Sequence, residues 1–212
     1  MSRKSAFFTL VFLLVLLLGI GFWSWRALEA REQSETFRID RFDRVLDEYV
    51  SLGSYTALHR MNTEYPMETK LLIEDVLDLG RVDEADVEKR LRRYYLDSTV
   101  QVLLEEVHRQ YTDVSDLEDD FSQVFDELQK LHPTFRVPRV YTQISCLRQS
   151  IVVTDTLIGI SLDKYLGADF PLYKDFFTDE QRFHMTREAI VSDAVSLYLQ
   201  YLKIKGSSPT QN

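Results

Sequence analysis

The chain reads as a mainly α protein with a small antiparallel β element, an α+β fold behind an N-terminal transmembrane helix. Three observations predict this. From Phe37 to Leu131 apolar residues recur at helical spacing. Between Val140 and Leu162 the pattern changes to short runs rich in β-branched residues, the signature of strands. Ahead of both, Ala6 to Ser24 is apolar almost without interruption.

At about 1.5 Å per residue the apolar run spans roughly 28 Å, enough for the hydrocarbon core of a bilayer. Trp23 and Trp25 stand where an interfacial aromatic belt would lie, and Arg3 and Lys4 favour a cytoplasmic N-terminus. The soluble part is then expected in the periplasm of a bacterium, with the segment as a single-pass inner-membrane anchor. A signal peptide cleaved to leave a periplasmic protein is the alternative, but its apolar region should be shorter and end at a small-residue site. Residues 1–25 are therefore read as the anchor, 26–36 as a polar stalk, 37–205 as the soluble domain and 206–212 as a disordered tail.

Phe42, Val45, Leu46 and Tyr49 share one helix face, with Asp40 placed to cap it. A short helix follows near Tyr55–Asn62. Glu64-Tyr65-Pro66 makes a turn, and a helix from Glu68 to Leu79 ends at Gly80. Asp83 opens a helix through Tyr95, and Asp97 or Ser98 opens the next. Ser115-Asp116-Leu117-Glu118 matches a capping box and starts a long amphipathic helix, stopped by His132-Pro133. Val140–Ser145, Ser150–Thr154 and Leu157–Leu162 read as strands. Thr178-Asp179-Glu180-Gln181 is a second capping box, and Thr186 caps a last helix. Phe42, Leu103, Leu117, Phe121, Phe125, Ile144, Val152, Ile160 and Leu197 are the expected core.

Composition narrows the function. The net charge is −9, and every Asp and Glu follows residue 28. So acidic a surface repels phosphate backbones, which argues against a nucleic-acid partner. Cys146 is the single cysteine and cannot form an internal disulfide. It reads as a small buried hydrophobe. No metallopeptidase H-E-x-x-H, nucleophile elbow, P-loop, dinucleotide fingerprint or C-x-x-C occurs. Glu105 and His108 make only half of a di-iron pair. The acids Asp113, Asp116, Glu118, Asp119 and Asp120 lack the alternation of a calcium loop and suit a helix N-terminus better. No cofactor, metal ligand or catalytic residue is assigned, and the chain is expected not to be an enzyme.

The one stretch with site character follows the strand Leu157–Leu162. Asp163, Tyr165, Gly167, Asp169 and Tyr173 fall in a loop where a buried strand ends. Gly167 permits a positive φ, and Pro171 stiffens the exit. These residues are expected to pack on the last helix and to present part of a partner- or ligand-facing surface. The plain alternative is that Tyr165 and Tyr173 are core and Asp163 a cap.

A collinear series of motifs carries a resemblance: Arg41-Phe42-Asp43, Tyr65-Pro66, Leu96-Asp97-Ser98, Tyr111-Thr112-Asp113, Pro138-x-x-Tyr141-Thr142-x-Ile144-Ser145, Ile158-Gly159-Ile160-Ser161-Leu162-Asp163-x-Tyr165-Leu166-Gly167 and Tyr173. Together they resemble the gliding-motility lipoprotein B (GldB-like) family of the Bacteroidetes. The resemblance implies a cell-envelope protein with envelope protein partners, a component or relative of the gliding machinery and non-catalytic. It also implies a distant kinship with predicted zinc-dependent peptidases, which leaves a degenerate zincin-like hydrolase as the alternative function. Two departures from the family pattern stand out. The lipid-attachment Cys is absent, so the anchor would be the apolar helix and the membrane contact would run through it. The chain also stops soon after Asp193, where family members are expected to continue with a further helical portion.

Overall fold

The expected helices and strands assemble around a four-stranded sheet whose long crossover contains most of the helices. The structure is a computed structural model that describes residues 37–207. The anchor and stalk readings fall outside the described residues. Among those residues, no helix is long and apolar enough to cross a membrane.

Strand β1 (Ile39–Asp40) leads into α1 (Phe42–Leu52), α2 (Tyr55–Thr63) and α3 (Pro66–Lys70), which continues as a π-helical turn over Leu71–Val76. Helices α4 (Val87–Tyr95), α5 (Ser98–Gln110) and α6 (Ser115–Leu131) complete the excursion, and the chain returns as β2 (Arg139–Gln143) beside β1. Strands β3 (Ile151–Val153) and β4 (Leu157–Ser161) follow, then short helices α7 (Tyr173–Phe176) and α8 (Asp179–Phe183) and the long α9 (Ile190–Ser207). Gly206 and Ser207, read as the start of a disordered tail, thus belong to α9.

The sheet corrects the antiparallel expectation. Its order is β1-β2-β4-β3, and only β3–β4 is antiparallel. Strands β1 and β2 pair in parallel, as do β2 and β4. Parallel neighbours need long crossovers; the helical segment supplies the one between β1 and β2, and the connection over 144–156, which contains β3, supplies the one between β2 and β4. The central strand β4 is buried along its whole length, as its uninterrupted apolar pattern requires. Of the expected core, Leu197 alone fails. It is 37% exposed, because α9 turns Ala194, Val195 and Tyr198 inward instead.

Local polar chemistry decides several boundaries. Asp97 caps α5 through the Thr99 N–H (2.9 Å), and the Thr178/Gln181 capping box closes around α8. The Ser115/Glu118 box does not form. The N-cap position is Val114, and Asp113 ahead of it accepts from the Ser115 N–H (3.0 Å) and hydroxyl (2.9 Å). Glu118, released from that role, accepts from the Ile39 N–H (3.0 Å) and pairs with Arg38, which fastens α6 to β1. Asp40 likewise does not cap α1. It pairs with Arg139 across the β1–β2 edge. Asp43, buried on α1, is gripped by the Arg41 fork (2.9 and 2.8 Å) and by the Thr142 hydroxyl of β2.

Arg187, ahead of α9, forms the most heavily bonded clamp of the C-terminal segment. Its fork meets both Asp116 oxygens (2.8 and 2.6 Å). It also donates to the carbonyls of Gln110 (3.2 Å) and Asp113 (2.8 Å), and lies 4.7 Å above the Tyr111 ring centre. Arg187→Ala is expected to lower stability by about 2 kcal/mol, or about 5 °C in Tm. The Arg187 hydrogen bonds hold the Asp116 carboxyl below its ordinary value. A lowered carboxyl stabilises the fold above the unfolded value and loses that contribution as pH falls. Melting curves across pH should show the gap between wild type and Arg187→Ala narrowing below about pH 4. A constant gap would remove Asp116 from the clamp.

Candidate functional site at the end of the central strand

The chain leaves β4 through a 3-10 turn at Leu162–Lys164 that places Asp163 at 0% exposure. An ionised carboxylate is tolerated there only if its oxygens are bonded. Asp163 accepts from the backbone N–H of Ser145 (2.7 Å) and of Leu147 (2.6 Å), with the Ser145 hydroxyl within 3.3 Å. Burial pushes the carboxyl upward, and the donated N–H groups of Leu147 and Ser145 pull against that shift.

The segment that Asp163 grips is unusual. Cys146 and Leu147 both adopt left-handed backbone, with φ of 55° and 65°. Neither residue favours that region. The N–H groups of Ser145 and Leu147, on either side of Cys146, both point at the Asp163 carboxylate. Lys164 holds the other side of the turn, its ammonium 3.3 Å from the Leu147 carbonyl and 4.0 Å from the Phe177 ring centre. Burial lowers the Lys164 pKa. Cys146 is half-buried, and burial pushes its thiol upward, which suits a packed side chain and not a nucleophile.

Three tyrosines hold the loop after Asp163 from inside. The Tyr173 hydroxyl donates to the Asp163 carbonyl (2.7 Å) and accepts from the Leu166 N–H (2.9 Å). The Tyr111 hydroxyl, from the end of α5, donates to the Tyr165 carbonyl. The Tyr165 hydroxyl donates to Asp193 of α9 (3.1 Å), which joins the loop to the last helix as expected. Burial raises the pKa of all three phenols, so they act as neutral hydrogen-bonding groups.

The five predicted surface residues therefore separate. Asp163, Tyr165 and Tyr173 are buried, and the reading of them as a presented surface is corrected. Their polar atoms satisfy backbone groups of an irregular turn that has no ladder partner. Gly167 takes a φ of 103° and donates to the Met185 carbonyl (3.0 Å). Asp169 alone is exposed.

Two clefts flank the Tyr165–Asp193 bond, of about 520 and 230 Å³, and share Ser150, Tyr165 and Asp193 in their linings. His184, Lys164 and Gln181 line the smaller one. A larger cavity of about 760 Å³ lies where α4, α5, the Cys146–Leu147 turn and α7 meet. Sequence reasoning missed this cavity and the roles of Tyr111 and Asp193. The available signal was polar-tipped tyrosines at helix ends beside an aspartate at a strand end. Among the described residues, no group of three His, Cys, Asp or Glu side chains is placed to hold a metal ion.

No curated protein and no solved structure matches this chain. The family model described as gliding motility protein GldB matches residues 26–210, covering the sheet, the helical crossover and the loop clamped by Asp163 and the tyrosines. That match spans most of the sequence, and the chain belongs to the GldB family of gliding motility proteins.

Proposed function

We propose that this protein is a membrane-anchored cell-envelope component of the gliding machinery, or of its counterpart in related cells, and that it works by binding and not by catalysis. The observation that carries this reading is the fate of the reactive side chains at the end of β4. Asp163 is occupied by backbone N–H groups of the Ser145–Leu147 turn, and Tyr111 and Tyr173 by carbonyls of the segment after β4, so their chemistry is spent on holding a shape. Around that rigid loop the accessible features are clefts and the exposed Asp169, which suit recognition. The apolar run Ala6–Ser24 supplies a single inner-membrane anchor, with the soluble part in the periplasm among envelope protein partners.

Deleting the gene in its native host should abolish surface spreading. Re-expression of the full chain should restore it, whereas a form lacking residues 1–25 but exported by a cleaved signal should not. Unchanged spreading and unchanged export of surface proteins on deletion would overturn the reading. Stoichiometric zinc in the purified protein would shift it to a zincin-like hydrolase. A mature protein shortened by the length of the apolar segment would replace the anchor with a cleaved signal.

A further inference from the structure

We propose that the cavity between α4, α5 and α7 is a binding site for an amphiphile with one acyl chain and an anionic head. Its volume, about 760 Å³, lies in the range of small-molecule sites. Its wall is largely aliphatic and aromatic: Leu79, Val100, Leu103, Leu147, Phe176 and Phe177. Phe176 is 57% exposed and adds an accessible aromatic face to that wall. That apolar wall suits a hydrocarbon chain. The polar groups at the rim decide the sign of the head.

Two of the polar groups in the lining are cationic, Arg90 and Arg93, both from α4. The protein carries a net charge of −9, yet α4 presents Lys89, Arg90, Arg92 and Arg93 within one helix. Arg90 is occupied by Glu84, Asp86 and the Leu79 carbonyl. Arg92 lies over Gly53. Arg93 lines the cavity, is exposed, and among the described residues makes no ion pair or side-chain hydrogen bond. Arg148 adds a second cation beside the cavity wall. It donates to the Tyr94 hydroxyl (3.1 Å), with its guanidinium 5.6 Å from the ring centre. The one carboxylate in the lining, Asp97, is engaged by the Thr99 N–H as a helix cap. A carboxylate or phosphate head therefore meets Arg93, while the chain lies against the apolar wall.

The wall is preorganised. Leu147 faces the cavity from a left-handed backbone held on its N–H by Asp163 and on its carbonyl by Lys164. Strain kept in place by such over-determined bonding is a feature of binding sites. This inference does not depend on the protein's place in gliding, only on the shape and charge of one cavity.

A free fatty acid and an anionic bilayer lipid share this chemistry. The test uses the full chain in phosphatidylcholine discs and a photoactivatable dodecanoate, with labelled peptides mapped by mass spectrometry. Label is expected on the peptides carrying Val100–Leu103, Cys146–Leu147 and Phe176–Phe177. Arg93→Glu, on an exposed side chain, should cut that label by about fivefold with Tm unchanged. Phe176→Asp, also exposed, should cut it similarly, so the test does not rest on a single variant. The matching photoactivatable alcohol should label more weakly than the acid. Competition by phosphatidylglycerol in the disc would assign the bilayer lipid, and competition by free dodecanoate alone would assign the free acid. Label spread evenly over the surface, or unchanged in Arg93→Glu, would overturn the proposal.

Discussion

Asp163→Asn is expected to cost about 4 kcal/mol, or about 10 °C in Tm. Both carboxylate oxygens face backbone N–H donors, one from Ser145 and one from Leu147. An asparagine offers one acceptor oxygen and turns an N–H2 group toward the second donor. One buried N–H is then orphaned and another is opposed, in a site with no water-facing side. Loss of a partner to a buried polar network costs more than the bond itself contributes, because the group left behind remains desolvated. The left-handed Cys146–Leu147 backbone should relax at the same time, since nothing else holds both of its flanking N–H groups. Thermal melting followed by circular dichroism measures the first effect. Faster amide exchange at Ser145 and Leu147 in the folded variant measures the second. A variant within 1 °C of wild type would show that the carboxylate does not hold the turn.

Gly159→Ala should cost about 3 kcal/mol, although glycine is normally a poor strand residue. Gly159 lies at the centre of β4, paired with Tyr141 of β2 and Val152 of β3. A methyl group added there would run into the phenol end of Tyr141, with the ring Cε1 at 2.9 Å and the Cζ and hydroxyl closer still. The ring cannot retreat, because Tyr141 is fully buried and packs edge-on against Phe42 at 6.2 Å. The clash is with a side chain, so shortening that side chain should relieve it. Gly159→Ala and Tyr141→Leu together should cost less than the sum of the two singles, which a double-mutant cycle would reveal. Strict additivity would mean that the glycine is needed for something other than room for Tyr141. Tyr141→Phe should be close to neutral, because the Tyr141 hydroxyl is buried with no hydrogen-bond partner among the described residues.

The family and most of the secondary structure were legible in the residues alone. Helical periodicity located the long helices, and β-branched runs located β2, β3 and β4, because burial of one face demands those spacings. The Thr178 capping box and the Asp97 cap were readable because each closes within a single turn. Gly167 was readable because a φ of 103° leaves little choice of residue. What the tertiary structure alone decided involves partners far apart in the chain. The Ser115/Glu118 box failed because the Ile39 N–H competed for Glu118 from 79 residues away. The sheet became parallel across β1, β2 and β4 because the helical crossover brought β2 beside β1 and β3 lies between β2 and β4 in the chain, and no local pattern encodes strand direction. Tyr165 and Tyr173 could be read as surface or as core, because a phenol suits an interface and an interior equally well. Their burial was settled by the backbone of an irregular loop, whose N–H and carbonyl groups had to find partners inside the protein.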